Sequence, residues 1–177
     1  MLSGFPAYVS NMKGIKYKIK PKPGQESVWD YPRPPAWQKT DARIIITYNK
    51  EKIADTIKAR RILETSHPPV YYIPPEDIEM RYLTKAPGQS YCEWKGSALY
   101  YSLQVGDRFA GKVAWYYPNP TADYSVIKDH VAFYAGPLDQ CTVNSEIVRP
   151  QPGGFYGGWI TDNVVGPFKG ESGTMFW

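Results

Sequence analysis

Two histidines, His67 and His130, are the side chains of this 177-residue sequence that ordinarily titrate near neutrality, so acid–base chemistry has to begin with them. His67 follows Leu63-Glu64-Thr65-Ser66 and precedes Pro68-Pro69. A stiff backbone therefore presents the ring, and Glu64 is near enough in sequence to orient it. His130, beside Asp129 at the start of a strand pattern, reads as a structural or surface residue. Cys92 lies in Tyr91-Cys92-Glu93-Trp94-Lys95-Gly96, which brings a thiol, an acid, an aromatic ring and a base together. In a regular strand Cys92 and Trp94 share one face while Glu93 and Lys95 share the other, so spacing alone does not make Lys95 the partner that activates the thiol. His67, Cys92 and Glu64 are the candidates for acid, base or nucleophile, and no third orienting residue follows from the spacing. The structural alternatives are a turn tied down by Ser66 and His67, and a small buried thiol.

Other catalytic architectures find little support. Glu64, Glu93, Asp107, Asp129 and Asp139 show no spacing that defines a carboxylate pair. Two histidines with the separated Cys92 and Cys141 make a poor ligand set, so no metal is expected. Gly153-Gly154 and Gly157-Gly158 lack the following Lys and helix of a phosphate loop, and no cofactor is implied. The aromatic residues offer more. Tyr71-Tyr72, Tyr100-Tyr101 and Trp115-Tyr116-Tyr117 fall in strand patterns, where adjacent side chains face opposite ways. One member can pack in a core while its neighbour faces a groove. Glu64, Ser66, His67, Tyr72, Cys92, Lys95, Tyr101 and Trp115 are therefore expected to line an aromatic and polar cleft for a flat or partly apolar small molecule. A cationic ligand is included, since ring faces and carboxylates attract cations. A two-sided aromatic core is the simpler alternative.

Strands must position these residues. Residues 42–48, the return through 53–55, 61–65, 70–73, 90–94, 97–105, 108–116, 130–135, 140–143 and 146–148 carry β-branched and aromatic residues with period-two patterning. Gly106-Asp107 and Asn144-Ser145 suit hairpin turns. One short helical turn is expected over residues 74–80, where proline and acids stand at its start. The proline-rich stretch 26–35 excludes an α-helix. Together with the glycine-rich tail 150–177, it reads as an extended wrap anchored by aromatic residues. The length suits one domain, and no internal boundary divides residues 25–177.

The charge is unevenly distributed. Lys13, Lys16, Lys18, Lys20 and Lys22 place five of the 21 basic residues in a segment without acids, which leaves 16 basic against 17 acidic residues in the remainder. Residues 1–24 are thus expected to form a flexible Lys-rich arm on a nearly neutral body. A stacking sheet for nucleic acid would need a basic surround, so nucleic acid is not an expected partner. Few cysteines, no signal-peptide pattern and no apolar run of membrane-spanning length lead to the expectation of a cytoplasmic protein without a membrane span. Exposed strand edges could pair two copies into a homodimer.

Several unusual phrases occur in order: ESVWDYPRPP (26–35), LETSHPPVYYIPPEDI (63–78), SYCEWKGSALYYS (90–102), AWYYP (114–118), VAFY (131–134) and FYGGWIT (155–161). Across residues 25–170 the chain closely resembles the domain-of-unknown-function 427 family. The resemblance implies an all-β domain of two antiparallel sheets meeting at an angle like the sides of a tent. That shape is shared with the ligand-binding domain of cereblon and with methionine sulfoxide reductase B. It highlights Glu64, Ser66, His67, Tyr71, Tyr72, Cys92, Lys95, Gly96, Tyr100, Tyr101 and Trp115. The nucleotidyltransferase label carried by some members is not adopted, since neither an acidic metal-binding pair nor a phosphate loop occurs here. The resulting expectation is a small-molecule-binding β domain. A small enzyme using His67 with Cys92 or Glu64, and a protein-interaction module, are the alternatives.

Overall fold

Short turns with left-handed backbone set the strand pairings. Asn49 and Lys50 (φ 48° and 67°) and Asn144 and Ser145 (φ 49° and 69°) both have the two positive φ values that match the twist of a tight hairpin. Gly106 (φ 58°) turns the 105–108 hairpin. The computed structural model describes residues 18–177. The first strands are β1 (Glu26–Ser27), β2 (Ala36–Lys39), β3 (Ile44–Tyr48), β4 (Glu51–Thr56), β5 (Arg60–Leu63) and β6 (Val70–Tyr72). A long meander follows in β7 (Leu83–Cys92), β8 (Gly96–Val105), β9 (Arg108–Tyr116) and β10 (Val131–Phe133). The chain ends with β11 (Gln140–Val143), β12 (Glu146–Ile147), β13 (Arg149–Pro150), β14 (Trp159–Ile160) and β15 (Val164–Val165).

The protein is all-β, and its principal sheets are antiparallel. One ladder runs β10-β9-β8-β7, a second runs β12-β11-β3-β4, and a third runs β2-β5-β6. Reciprocal hydrogen bonds between Ile73 and Val131 (2.8 and 2.9 Å) stitch the third ladder onto the edge of the first. Alternation along this stitched surface divides its side chains between two faces. Tyr71, Ile73, Val131, Phe133, Ala114 and Tyr116 enter the main core with Ile44, Ile46, Ile53 and Cys141 of the second ladder. Tyr72, Ala132, Trp115 and Tyr117 belong to a separate cluster on the opposite face.

Three features depart from the sequence expectations. The strand expected at 90–94 begins at Leu83 and ends at Cys92, because a bulge between Ala86 and Gln89 absorbs Pro87 and Gly88. The single helical turn at 74–80 is two 3-10 turns, Pro75–Asp77 and Met80–Tyr82. Two more 3-10 turns occur at Val28–Asp30 and Ala122–Ile127, the former capped by the Ser27 hydroxyl on the Trp29 N–H. Of the Lys-rich segment, residues 1–17, including Lys13 and Lys16, lie outside the described residues. Lys18 sits over the Trp29 ring at 5.7 Å, and the Ile19 N–H reaches the Gly166 carbonyl, so the described part of that segment lies against the body.

Candidate functional site

His67 is placed by a turn that both wraps hold. Beyond β5 the His67 N–H closes on the Glu64 carbonyl at 3.0 Å, and Ser66 adopts a left-handed conformation (φ 71°). The N-terminal wrap anchors this turn through Ser66 N–H to the Val28 carbonyl (3.0 Å) and Thr65 Oγ1 to the Tyr31 carbonyl (2.6 Å). The C-terminal wrap anchors it through Lys169 N–H to the Ser66 carbonyl (2.9 Å). Three fastenings and two prolines leave the imidazole little freedom.

The hydrogen bonds also define the tautomer of His67. Gln151 Oε1 accepts from the Gly158 N–H at 3.0 Å, and Gln151 Nε2 donates to the Lys169 carbonyl at 2.8 Å. The orientation of the amide is thereby set. The same Nε2 lies 3.0 Å from His67 Nδ1, so Nδ1 is the acceptor and the ring proton is on Nε2. That nitrogen faces Glu64, whose Oε1 is 3.9 Å away and is also held by Arg33 Nε at 3.3 Å. Burial, reinforced by the positive charges of Lys169, Arg33 and Lys95, pushes the His67 pKa down to about 3. A neutral donor with so little basicity is a weak general base at neutral pH.

Lys95 comes from the β7–β8 connection. Cys92 pairs with Gly96, so Glu93, Trp94 and Lys95 form a three-residue loop closed by Gly96 at φ 99°. Thr121 fixes this loop by donating its N–H to the Lys95 carbonyl (3.1 Å) and its hydroxyl to the Trp94 carbonyl (2.6 Å). Strand alternation ends at Cys92, so the expected separation of Cys92 from Lys95 on opposite faces does not apply. Both line one cavity. Lys95 is only 9% exposed, and among the described residues no carboxylate forms an ion pair with it. Its ammonium lies 6.0 Å from the centre of the Tyr117 ring.

The floor is aromatic. Trp115 donates its indole N–H to the Tyr72 hydroxyl at 3.1 Å, the two rings standing edge-on with centroids 6.3 Å apart. Tyr134 packs against Trp115 at 4.6 Å between centroids. Burial raises the pKa of both Tyr72 and Tyr117, so these phenols remain protonated at neutral pH. The cavity enclosed above this floor has a volume of about 620 Å³. Its roof is the glycine-rich loop, in which a Cβ on Gly157 would come within 2.2 Å of Trp115 Cη2 and one on Gly158 within 2.5 Å of the Pro68 carbonyl. Glycine is required at both places by this close approach. A neighbouring recess of about 850 Å³ shares Tyr100, Tyr134 and Tyr156 but contains none of His67, Glu64, Cys92 and Lys95.

Of the residues selected from sequence, Glu64, His67, Tyr72, Cys92, Lys95 and Trp115 line the first cavity. Two do not. Ser66 is fully buried beneath the turn, where its hydroxyl finds no partner, and Tyr101 points into the main core, stacked on Tyr116 at 4.5 Å. Tyr100, one position earlier, faces the cavity instead. Arg33, Gln151, Tyr156 and Lys169 were not singled out, although all four line the cavity. They come from the two wraps, and the FYGGW phrase at 155–159 is the part of the sequence that marks the second of them. The lining carries the cations Arg33, Lys95 and Lys169 and the acids Glu64 and Glu93. The cysteines are both free and lie on opposite sides of the stitched surface: Cys141 of the second ladder in the main core, its thiol pushed up to about 12 by burial, and Cys92 at the cavity. Among the described residues, no three His, Cys, Asp or Glu side chains gather as a metal site, and no helix is long and apolar enough to cross a membrane.

A bulged antiparallel meander with an aromatic cavity on one face, neither barrel nor α/β sheet, defines an all-β domain of a particular kind. The match extends to a family: residues 36–144 fit the one described as Domain of unknown function (DUF427), and the chain belongs to it. A comparison with curated proteins gives no match. The matched span supplies β2 to β11 and the β7–β8 loop, whereas Arg33, Gln151, Tyr156 and Lys169 fall outside it.

Proposed function

We propose that the protein binds a flat small molecule in the 620 Å³ cavity, between the aromatic floor and the glycine-rich loop. The observation that carries this reading is the convergence of His67, from the turn after β5, with Cys92 and Lys95, from the end of β7 and the loop that follows it, on a single aromatic-lined space. Its volume lies in the range of pockets for small organic ligands, roughly 300–1,000 Å³. A domain needing only a second core would fill that space with side chains, because protein interiors pack to near-crystalline density. The low basicity of His67 gives the acid–base alternative no comparable support.

A crystallographic screen of several hundred flat, neutral heteroaromatic fragments tests the reading. Density for fragments over Trp115 and Tyr72 is the expected result. A screen whose hits all lie elsewhere on the surface, or that yields none, would overturn it.

A further inference from the structure

Resting on that reading, we infer that the ligand is a flat aromatic acid whose carboxylate is received by Lys95, with the Nε2–H of His67 as a neutral donor in the same cavity.

Three cations line the cavity, and two of them already have oxygen partners. Arg33 is bound to the Glu64 carboxylate at 3.3 Å and to the Thr65 carbonyl at 2.9 Å. Lys169 Nζ donates to the Trp177 carbonyl oxygen at 2.7 Å. Lys95 differs. It is nine-tenths buried, its loop is fixed by Thr121, and no carboxylate among the described residues pairs with it. Removing an ammonium from water without a counter-charge is unfavourable, and a tyrosine face at 6.0 Å offsets only a small part of that cost. Burial works against the Lys95 charge and the negative charge of Glu64 works for it, and the net direction of its pKa is upward. The side chain is therefore a retained charge in a cavity whose Glu64 carboxylate is bound to Arg33 instead.

The balance of charges selects the ligand's charge. Arg33, Lys95 and Lys169 against Glu64 and Glu93 leave one positive charge in excess on the lining, which matches a monoanion and falls short of balancing a phosphate dianion. A carboxylate also takes hydrogen bonds from two directions, and His67, neutral in its buried setting, offers its Nε2–H, so it adds a bond without adding charge. The flat body of such an acid suits Trp115, Tyr72 and Tyr100.

The test uses the full chain and three matched series built on benzene, naphthalene, indole and quinoline: carboxylates, primary amides and aminomethyl compounds, with affinities from isothermal titration. Carboxylates are expected to bind about tenfold or more tightly than amides of the same core, a ratio that one charge-assisted hydrogen bond readily supplies. The aminomethyl compounds should bind most weakly. Lys95→Met should abolish the preference, and Lys95→Arg should retain it. Equal binding of carboxylates and amides in the wild type overturns the inference while leaving the small-molecule reading intact. A preference that survives in Lys95→Met overturns the assignment to Lys95. Failure of every series to bind removes both readings. Near-UV circular dichroism identifies a variant that has not folded, and the wild-type series then decides the charge preference alone.

Discussion

The amide nitrogen of Gln151 and Nδ1 of His67 lie 3.0 Å apart, and the Gly158 N–H on Gln151 Oε1 prevents that amide from reversing its role. A glutamine whose orientation is set by backbone groups thus determines which nitrogen of the histidine carries the proton.

Gln151→Glu should reverse this arrangement. A carboxylate beside Nδ1 favours the protonated ring, so the His67 pKa should rise by roughly 1–3 units. Nitrogen-15 NMR of the ring checks both statements. The wild-type imidazole should remain the Nε2–H form at pH 6, and an imidazolium signal there would contradict the assignment.

The same burial has a consequence for acid stability. The folded pKa of His67, about 3, lies below its usual 6.5, so between these values the unfolded chain binds the proton and the folded one does not. The stability associated with neutral His67 is fully present above pH 6.5 and is lost as pH falls towards 3. Compared with His67→Asn, the wild type should lose about 1.4 kcal/mol per pH unit within this window. Urea titrations at a series of pH values measure the difference, and a constant difference down to pH 4 would show that His67 is protonated in the folded protein.

Gly157→Ala should be destabilising by about 1–3 kcal/mol, because its methyl group would collide with the Trp115 indole and displace the roof of the cavity. Gly136→Ala is the control: its added Cβ meets nothing within 4 Å, and no positive φ is recorded there. Equal melting temperatures for the two variants would mean that the glycine-rich loop does not rest on Trp115.

Cys92 should be the thiol modified by iodoacetamide in the native protein. It lines the cavity, whereas Cys141 is buried in the main core with its thiol pushed up to about 12. Peptide mass spectrometry distinguishes the two sites, and an aromatic fragment seated in the cavity should slow the reaction. Comparable labelling of Cys141 would place the opening of the protein elsewhere.

Much of the fold was legible because hairpin signals are local. Asn144-Ser145 and Gly106-Asp107 announce their turns, and paired aromatic residues announce that both faces of a strand are used. The parity of those pairs is a different matter. Whether Tyr100 or Tyr101 faces the cavity depends on register across β8 and β9, where a shift occurs between Tyr101 and Leu103, and a slip of one residue exchanges the two faces. Lys95 was identified by its company in the sequence, but its direction depended on where the strand stopped. Gln151 and Lys169 gave no local sign of their roles, because the wraps meet His67 through tertiary contacts alone. The bulge at Pro87-Gly88 hid the first half of β7 for the opposite reason, a local signal of interruption that the sheet accommodates.

The turn bearing His67 is held from one side by Val28 and from the other by Lys169. Each strand hairpin can close within its own neighbourhood, but these fastenings require segments from distant parts of the chain to arrive together, and the entropy of loop closure makes such contacts slow to form. The β-meander can therefore be complete while the cavity is still open. The closed cavity would be the last feature the molecule acquires as it folds and the first it surrenders when either wrap lifts.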